Sequence, residues 1–360
     1  MTTDEKYMSY ALQLAQRGGI NVLTNPNVGS VVVYNGRIIG EGYHRQYGKA
    51  HAEVNAIDSV KDEDRQYLSE STIYVNLEPC CHTGKTPPCT QKIIDNGLKR
   101  VVIGMQDPFP QVNGEGIAIL RQAGIDVTVG VLEQESIDLN KNFIVYNAHK
   151  RPYIIFKWAQ TLDGFIDSDR TADMQAAWLT GERCKQLVHK WRSEINGIMV
   201  GSSTIEKDNP RLNTREWSGA SPVKITIDRE GKLKEEGAFF MPDSKKIIFT
   251  EVDKVSDKED VEYIKVDFSS EGAIKEVMEH LYRLKIKVLM VEGGTKLVKL
   301  LVENGLFDEA RVFSSPIMLS ELKGGENLKG VKAPMVPEPQ NTKVELIDNI
   351  TLKTCYYRNY

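Results

Sequence analysis

His51-Ala-Glu53, Glu78-Pro79-Cys80 and Pro87-Pro88-Cys89 bring one imidazole, two thiols and a spare carboxylate into play. Cysteine thiolates and a neutral imidazole suit a tetrahedral zinc ion with one position left open for water. Glu53, two residues from His51, is then a proton carrier and not a ligand, which is the division of labour that hydrolytic deamination requires. The usual spacing for that chemistry is H-x-E followed by P-C-x-x-C. Here the first half is intact and the second is stretched, with Cys81 to Pro88 lying between Cys80 and Cys89. The competing reading is a closed zinc staple, with Cys81 or His82 as fourth ligand. Glu53 has no use in a staple.

The surrounding sequence supplies elements to hold these groups. Ser71 to Leu77 is β-rich, and Glu78-Pro79 ends it. Pro87-Pro88 opens a helical run from Cys89, where proline is tolerated and the free N–H groups of the first turn favour a thiolate. His51 to Val60 also has a helical pattern. Upstream, Thr3 to Arg17 has one apolar face (Tyr7, Met8, Ala11, Leu12, Ala15) and is stopped by Gly18-Gly19. Val28 to Tyr34 and Arg37 to Tyr43 flank Asn35-Gly36, a hairpin signal. Val101 to Met105, Gly116 to Ala123 and Ile125 to Val131 continue as strand, helix, strand. This alternation predicts a three-layer α/β domain with parallel central strands. The zinc set is then expected at the carboxyl end of the sheet.

A net charge of −4 and a pI near 6.0 argue against nucleic acid or an anionic membrane as partner. No apolar run has the length of a membrane span, and no signal-peptide pattern opens the sequence. Five cysteines, three of them at the metal motif, fit a reducing compartment, and a cytoplasmic location is expected. The 360 residues suit two domains, with the boundary expected in the polar stretch Asn147 to Pro152: residues 1–146 and 147–360. The loop His82-Thr-Gly84-Lys85-Thr86 is no P-loop, because Pro79 occupies the place of its first glycine. Lys85 is read either as a side chain over the site or as a solvated loop lysine. Asn25 and His44 carry the same two readings.

Beyond the boundary, Tyr153 to Trp158, Gly197 to Val200, Pro222 to Asp228, Lys245 to Thr250 and Ile286 to Val291 read as strands. Gly181 to Arg192 reads as an amphipathic helix, and Ser202 starts a short one that Asp208-Asn209-Pro210 ends. Glu292-Gly293-Gly294-Thr295 joins a strand to a helix, an arrangement that can cradle a phosphate. No G-x-G-x-x-G is present, so a Rossmann dinucleotide site is not indicated. Lys343 to Ile347 and Leu352 to Arg358 read as a closing antiparallel pair.

Several runs carry a family likeness. They are Asn25-Pro-Asn-Val-Gly29, Gly48-Lys-Ala-His51-Ala-Glu53, Glu78-Pro-Cys80-Cys-His82-Thr-Gly-Lys85-Thr-Pro-Pro-Cys89 and Asp107-Pro108. The second half adds Lys157-Trp-Ala159, Leu162-Asp-Gly164, Trp178-Leu-Thr180, Val200-Gly201, Thr204, Asp208-Asn-Pro210, Leu212, Arg215 and Val291-Glu-Gly-Gly294. The chain resembles the bifunctional riboflavin-biosynthesis deaminase/reductase family over nearly its whole length. The resemblance implies a cytidine-deaminase-like α/β domain followed by a dihydrofolate-reductase-like α/β domain. It implies zinc on His51, Cys80 and Cys89, with Glu53 as proton shuttle. Asn25, His44 and Lys85 match positions that touch the first substrate, a pyrimidine nucleotide analogue. Ala159, Trp178, Thr204, Asp208 and the Gly293-Gly294-Thr295 turn match an NADPH site. Arg192, Leu212, Arg215 and Glu292 match the second substrate site, where a guanidinium fork suits a ribose phosphate.

Reduction of a sugar carbon needs a proton beside the hydride. Lys157 is the nearest motif residue able to supply one, and its other reading is a charge partner for the substrate phosphate or for Asp163. The sequence departs from the family pattern at Phe109, Ala176 and Phe165, where asparagine, serine and a basic residue are common. Two other functions fit the same motifs. One is a tRNA-adenosine-type deaminase with an accessory domain. The other is a zinc-stapled binding protein whose second half scaffolds an oligomer. Homo-oligomeric assembly is expected.

Overall fold

The computed structural model describes residues 1–22, 24–82, 87–108, 113–168, 178–322 and 329–358. Lys85, Phe109 and Ala176 lie outside them. The chain divides into two compact units, Met1–Lys150 and a second that begins at Arg151.

In the first unit, helix α1 (Thr3–Gln16) starts on a capping box: Thr2 Oγ1 accepts the Glu5 N–H, and the Glu5 carboxylate accepts the Thr2 N–H. Strands β1 (Gly29–Tyr34) and β2 (Arg37–Tyr43) form the hairpin. Its turn residues Asn35 and Gly36 have φ of 44° and 77°, the left-handed pair that a type I′ turn needs. Then follow α2 (Ala52–Asp58), β3 (Thr72–Leu77), α3 (Cys89–Asp95), β4 (Arg100–Met105), α4 (Glu115–Gln122), β5 (Asp126–Val129) and α5 (Glu133–His149). The sheet order is β2-β1-β3-β4-β5. The β3, β4 and β5 strands are parallel as expected, while β1 is antiparallel to both its neighbours.

Side chains from α2, α3 and α4 fill one face of this sheet (Ala52, Ala56, Ile57, Ile93, Ile117, Leu120), and α1 covers the other with Met8, Ala11 and Leu14. Helix α2 lies very close to β2. A Cβ on Gly40 would fall 2.4 Å from the Ala56 carbonyl oxygen, and one on Gly42 would fall 2.4 Å from the Ala56 nitrogen. Only glycine permits that approach.

The second unit contains β6 (Tyr153–Gln160), β7 (Phe165–Ser168), α6 (Glu182–Ser193), β8 (Gly197–Gly201), α7 (Ser202–Asp208), β9 (Val223–Ile227), β10 (Lys246–Thr250) and β11 (Val261–Lys265). It continues with α8 (Ala273–Arg283), β12 (Val288–Glu292), α9 (Thr295–Glu303), β13 (Glu309–Ser314), β14 (Gly330–Lys332), β15 (Asn341–Ile347) and β16 (Ile350–Tyr356). Nine strands run in the order β11-β10-β9-β8-β12-β6-β13-β16-β15, and β7 pairs with β14 apart from them. The strands from β11 to β13 are parallel; the terminal hairpin β15–β16 adds antiparallel pairing. Parallel strands need long crossovers, and the helices supply them. The buried Arg151 guanidinium grips Asp308 in a bidentate pair (2.6 and 2.8 Å), and Asp308 also accepts the Ile154 N–H at 2.8 Å, fixing β6 beside β13.

One expectation needs correction. The stretch from Asn147 was read as a polar break, but Asn147 to His149 is the last turn of α5, which Lys150 ends in the left-handed conformation (φ 53°).

Candidate active sites

In the first unit, His51 is the N-cap of α2, Cys80 follows the end of β3, and Cys89 is the first residue of α3. Their donor atoms all lie within 4.8 Å of one another, the one such trio of His, Cys or carboxylate donors among the described residues. His51 Nδ1 faces both sulfurs, 3.5 Å from Cys80 Sγ and 3.3 Å from Cys89 Sγ. The Cys89 N–H points at Cys80 Sγ from 3.4 Å. The Cys89 thiol and His51 hold the Cys80 thiol down to about 4 against the effect of burial, while the nearby Cys80 thiolate pushes Cys89 well up. The Cys80 thiolate, helped by Glu53, raises His51 to about 9. Two sulfurs and an imidazole nitrogen converging with negative charge between them fit a zinc ion. Cys81 points elsewhere, its Sγ 3.7 Å from Glu115 Oε2, and the trio includes neither it nor His82. A closed staple therefore lacks its fourth ligand among the described residues.

Glu53 sits in the first turn of α2 and is 3% exposed. Burial raises its carboxyl to about 7, with His51 opposing. It lines a cavity of about 300 Å³ together with His51, Cys80, Asn25, His44 and Asp107. Asn25 Nδ2 donates to His44 Nε2 at 3.0 Å, and His44 Nδ1 donates to the Ala50 carbonyl at 3.1 Å, with the ring tautomer assigned from these partners. The His44 ring meets His51 edge-on at 5.5 Å.

Several contributors went unread in the sequence. Glu78 caps α4: its carboxylate accepts the N–H groups of Asp107, Gly114 and Ile117 at 3.0–3.2 Å. Phe143 and Asn147 of α5 reach the cavity wall. Only the acidic residue before Pro79 offered a signal for the first of these. Nothing in the motif spacing pointed to α5.

In the second unit, Arg192 of α6 and Glu292 at the end of β12 form a buried bidentate pair, both contacts 2.9 Å. Arg192 Nη1 also donates to the Asn213 carbonyl at 3.2 Å. Lys157 Nζ on β6 stands 3.6 Å from Glu292 Oε2. Burial would raise Glu292, but Arg192 and Lys157 prevail and hold it at about 2. Asp163, the other suggested partner of Lys157, instead accepts from Thr161 Oγ1 and the Leu319 N–H. Arg215 donates from Nη1 to Asn213 Oδ1 at 3.3 Å and its Nε stands 3.7 Å from Glu216 Oε1, but its side chain is 41% exposed, so of the two expected arginines it is the one an anion can reach. Leu212 is buried, with φ of 51°. Gly293 and Gly294 have φ of 73° and 80° at the start of α9, and a Cβ on Gly293 would meet nothing within 4 Å. Thr204 approaches the position a Gly294 Cβ would take (3.7 Å), and Thr295 Oγ1 donates to the Lys332 carbonyl. Trp178 is 67% exposed, Ala159 is half-buried one residue before the end of β6, and Asp208 closes α7.

A cytidine-deaminase-type zinc unit followed in the chain by a parallel-sheet reductase unit defines a two-activity enzyme, a deaminase joined to a reductase. The cytidine and deoxycytidylate deaminase zinc-binding region matches residues 1–105, and the RibD C-terminal domain matches residues 152–350. The chain belongs to the RibD family of bifunctional riboflavin-biosynthesis deaminase/reductases. The riboflavin biosynthesis protein RibD of Aquifex aeolicus (strain VF5) is 38% identical over 329 residues, covering 88% of each chain. That of Escherichia coli (strain K12) is 35% identical over 346 residues, covering 91% of this chain and 92% of its own. Among solved structures, the diaminohydroxyphosphoribosylaminopyrimidine deaminase/5-amino-6-(5-phosphoribosylamino)uracil reductase of Thermotoga maritima superposes with a TM-score of 0.85 at 35% identity, covering 99% of both chains. A tRNA-type deaminase with an accessory domain is not favoured, because the family covers both units. No helix among the described residues is long and apolar enough to cross a membrane.

Proposed function

We propose that the first unit hydrolytically deaminates the ring of 2,5-diamino-6-ribosylamino-4(3H)-pyrimidinone 5′-phosphate, and that the second reduces the resulting ribosylamino compound to its ribityl form with NADPH. The observation that carries the first reaction is the buried Glu53 carboxylate beside the His51, Cys80 and Cys89 donors. Those three residues would hold a zinc ion, which would supply Lewis acidity and make water nucleophilic near neutral pH. Glu53 is placed to take up a proton from the attacking water and return it to the leaving amine. A carboxyl raised by burial toward 7 is suited to both steps. Asn25, bonded to His44, presents its amide toward the pyrimidine edge, and Lys85 is assigned to the same substrate from its motif.

For the reduction, the open backbone at Gly293-Gly294-Thr295 accommodates NADPH phosphate at the start of α9, with Thr204 beside it; Asp208, Ala159 and Trp178 are assigned to the same cofactor from their motifs. Arg215 and Leu212 frame the ribose phosphate. Lys157 delivers the proton that accompanies the hydride, and the Arg192–Glu292 pair keeps a carboxylate beside the Lys157 ammonium. A functional division that follows the two units, with the expected 146/147 boundary moved to Lys150–Arg151, homo-oligomeric assembly and a cytoplasmic location belong to the same proposal.

Mass spectrometry of the product tests it. Without NADPH, the substrate should exchange an amine for oxygen and release ammonia. With NADPH, the product should gain a further pair of hydrogens. Ammonia release with no hydrogen uptake would remove the reductase half; hydrogen uptake with no ammonia release would remove the deaminase half.

A further inference from the structure

The loop that follows α7 holds Arg215 in an unusual frame. Asn209 caps α7 in the left-handed conformation that asparagine tolerates (φ 42°), but Leu212 adopts it too (φ 51°), and a leucine keeps it only when its surroundings fix it. One side of the loop is tied through Asn213 Nδ2 to Asp243 (2.9 Å), itself paired with the fully buried Lys224 (2.6 Å). The other side is tied to α6 by two residues one turn apart. Arg192 donates to the Asn213 carbonyl, and His189 Nδ1 accepts the Arg215 N–H at 3.2 Å. His189 is 1% exposed, so no water stands ready to replace that contact.

We infer that His189 is the positioning residue of the reductase substrate site, fixing the Arg215 backbone so that its guanidinium projects toward a sugar phosphate. This rests on the reductase reading above. The chemistry demands a ring with a bare Nδ1 and its proton on Nε2. Burial, then the charges of Arg192 and Arg215, hold the ring down to about 4 against Glu216 and Glu292, so it is a neutral acceptor at the pH of the cell. An asparagine places its amide oxygen close to where Nδ1 stands, whereas leucine fills the space and accepts nothing.

The test compares His189→Leu with His189→Asn by reductase kinetics and by calorimetric titration with ribose 5-phosphate. His189→Leu should raise KM for the ribosyl substrate and weaken ribose 5-phosphate binding about five- to tenfold, the range of one lost hydrogen bond. Its kcat and NADPH affinity should stay within twofold of the wild type. His189→Asn should restore binding. Equal impairment in both variants, or a loss that falls on kcat or NADPH affinity, overturns the inference. Nitrogen-15 NMR of the labelled wild-type histidines covers the case in which His189→Leu fails to fold: a protonated Nδ1 on His189 overturns the inference, and an unprotonated one upholds it. A wild type that binds ribose 5-phosphate but reduces nothing would defeat the proposed reaction, while the two variants' binding would still decide the role of His189.

Discussion

Asn140 and Asn27, far apart in sequence, exchange two hydrogen bonds: Asn140 Oδ1 accepts the Asn27 N–H at 2.8 Å, and Asn140 Nδ2 donates to the Asn27 carbonyl at 3.0 Å. Asn76 on β3 gives that carbonyl a second donor at 3.1 Å. Helix α5 thus holds the turn that carries Asn25 to the cavity. Asn140→Ala leaves a buried N–H without this partner, which costs about 1–3 kcal/mol. We expect a lower melting temperature and a several-fold higher KM for deamination, with zinc content unchanged. A variant that melts lower but keeps its KM would show that the clamp stabilises without aligning.

Glu53→Gln preserves shape and removes the proton carrier. Ammonia release should fall by ~10²–10⁴-fold or more, since the proton is handled twice. Metal analysis should find full zinc. Near-normal turnover in a zinc-replete variant would remove Glu53 from the chemistry.

The adjacent thiols separate cleanly. Cys80 faces His51, whereas Cys81 faces Glu115. Cys80→Ser should lose zinc on dialysis, and Cys81→Ser should keep it. Equal zinc loss from both would mean the ligands are misassigned.

Lys157→Met removes the ammonium beside Glu292 and leaves the Arg192 pair in place. NADPH oxidation with the deaminated intermediate should fall by about 10²-fold or more, while ammonia release persists. Normal kcat with weakened substrate binding would make Lys157 a binding residue.

Glu292 gives a pH dependence with a definite sign. Its carboxyl is lowered in the fold from 4.5 to about 2. A depressed acid contributes stability that is fully present above about pH 4.5 and is lost as pH falls through about 2. Removing one partner of a buried pair costs about 3–5 kcal/mol, so Glu292→Gln should melt well below the wild type at pH 7. The gap should stay constant down to about pH 5 and shrink below it. A gap that does not change with pH would place the stabilisation elsewhere than in the charge.

The zinc set was legible because its spacing is local: one dipeptide step joins His51 to Glu53, and a proline marks each cysteine. The β1–β2 hairpin was legible from Asn35-Gly36. Helix α5 was not, because it buries Ser136 and Asn140 beside Val145 and Tyr146, and its inner face answers to hydrogen bonds as much as to apolar periodicity. Helix α8 is a different case. Ile274, Val277, Met278 and Leu281 form a plain stripe that the sequence reading leaves unassigned. The Arg151–Asp308 and Arg192–Glu292 pairs join residues more than ninety positions apart, and no local pattern announces such partners. In the sequence Arg151 belongs to a polar stretch and Arg192 ends a helix and matches a substrate site, and only folding reveals that each is paired with a buried carboxylate.

The depth at which α2 rests on β2 is set at Gly40 and Gly42, where backbone meets backbone. His51 and Glu53 stand at the head of that helix and so inherit their height above the sheet from two residues that touch neither metal nor substrate. In a saturation-mutagenesis map, both glycines would stand out as intolerant to every replacement. A ranking by distance from the chemistry would misjudge them, since an added methyl group there lifts the whole catalytic helix as a lever lifts its load.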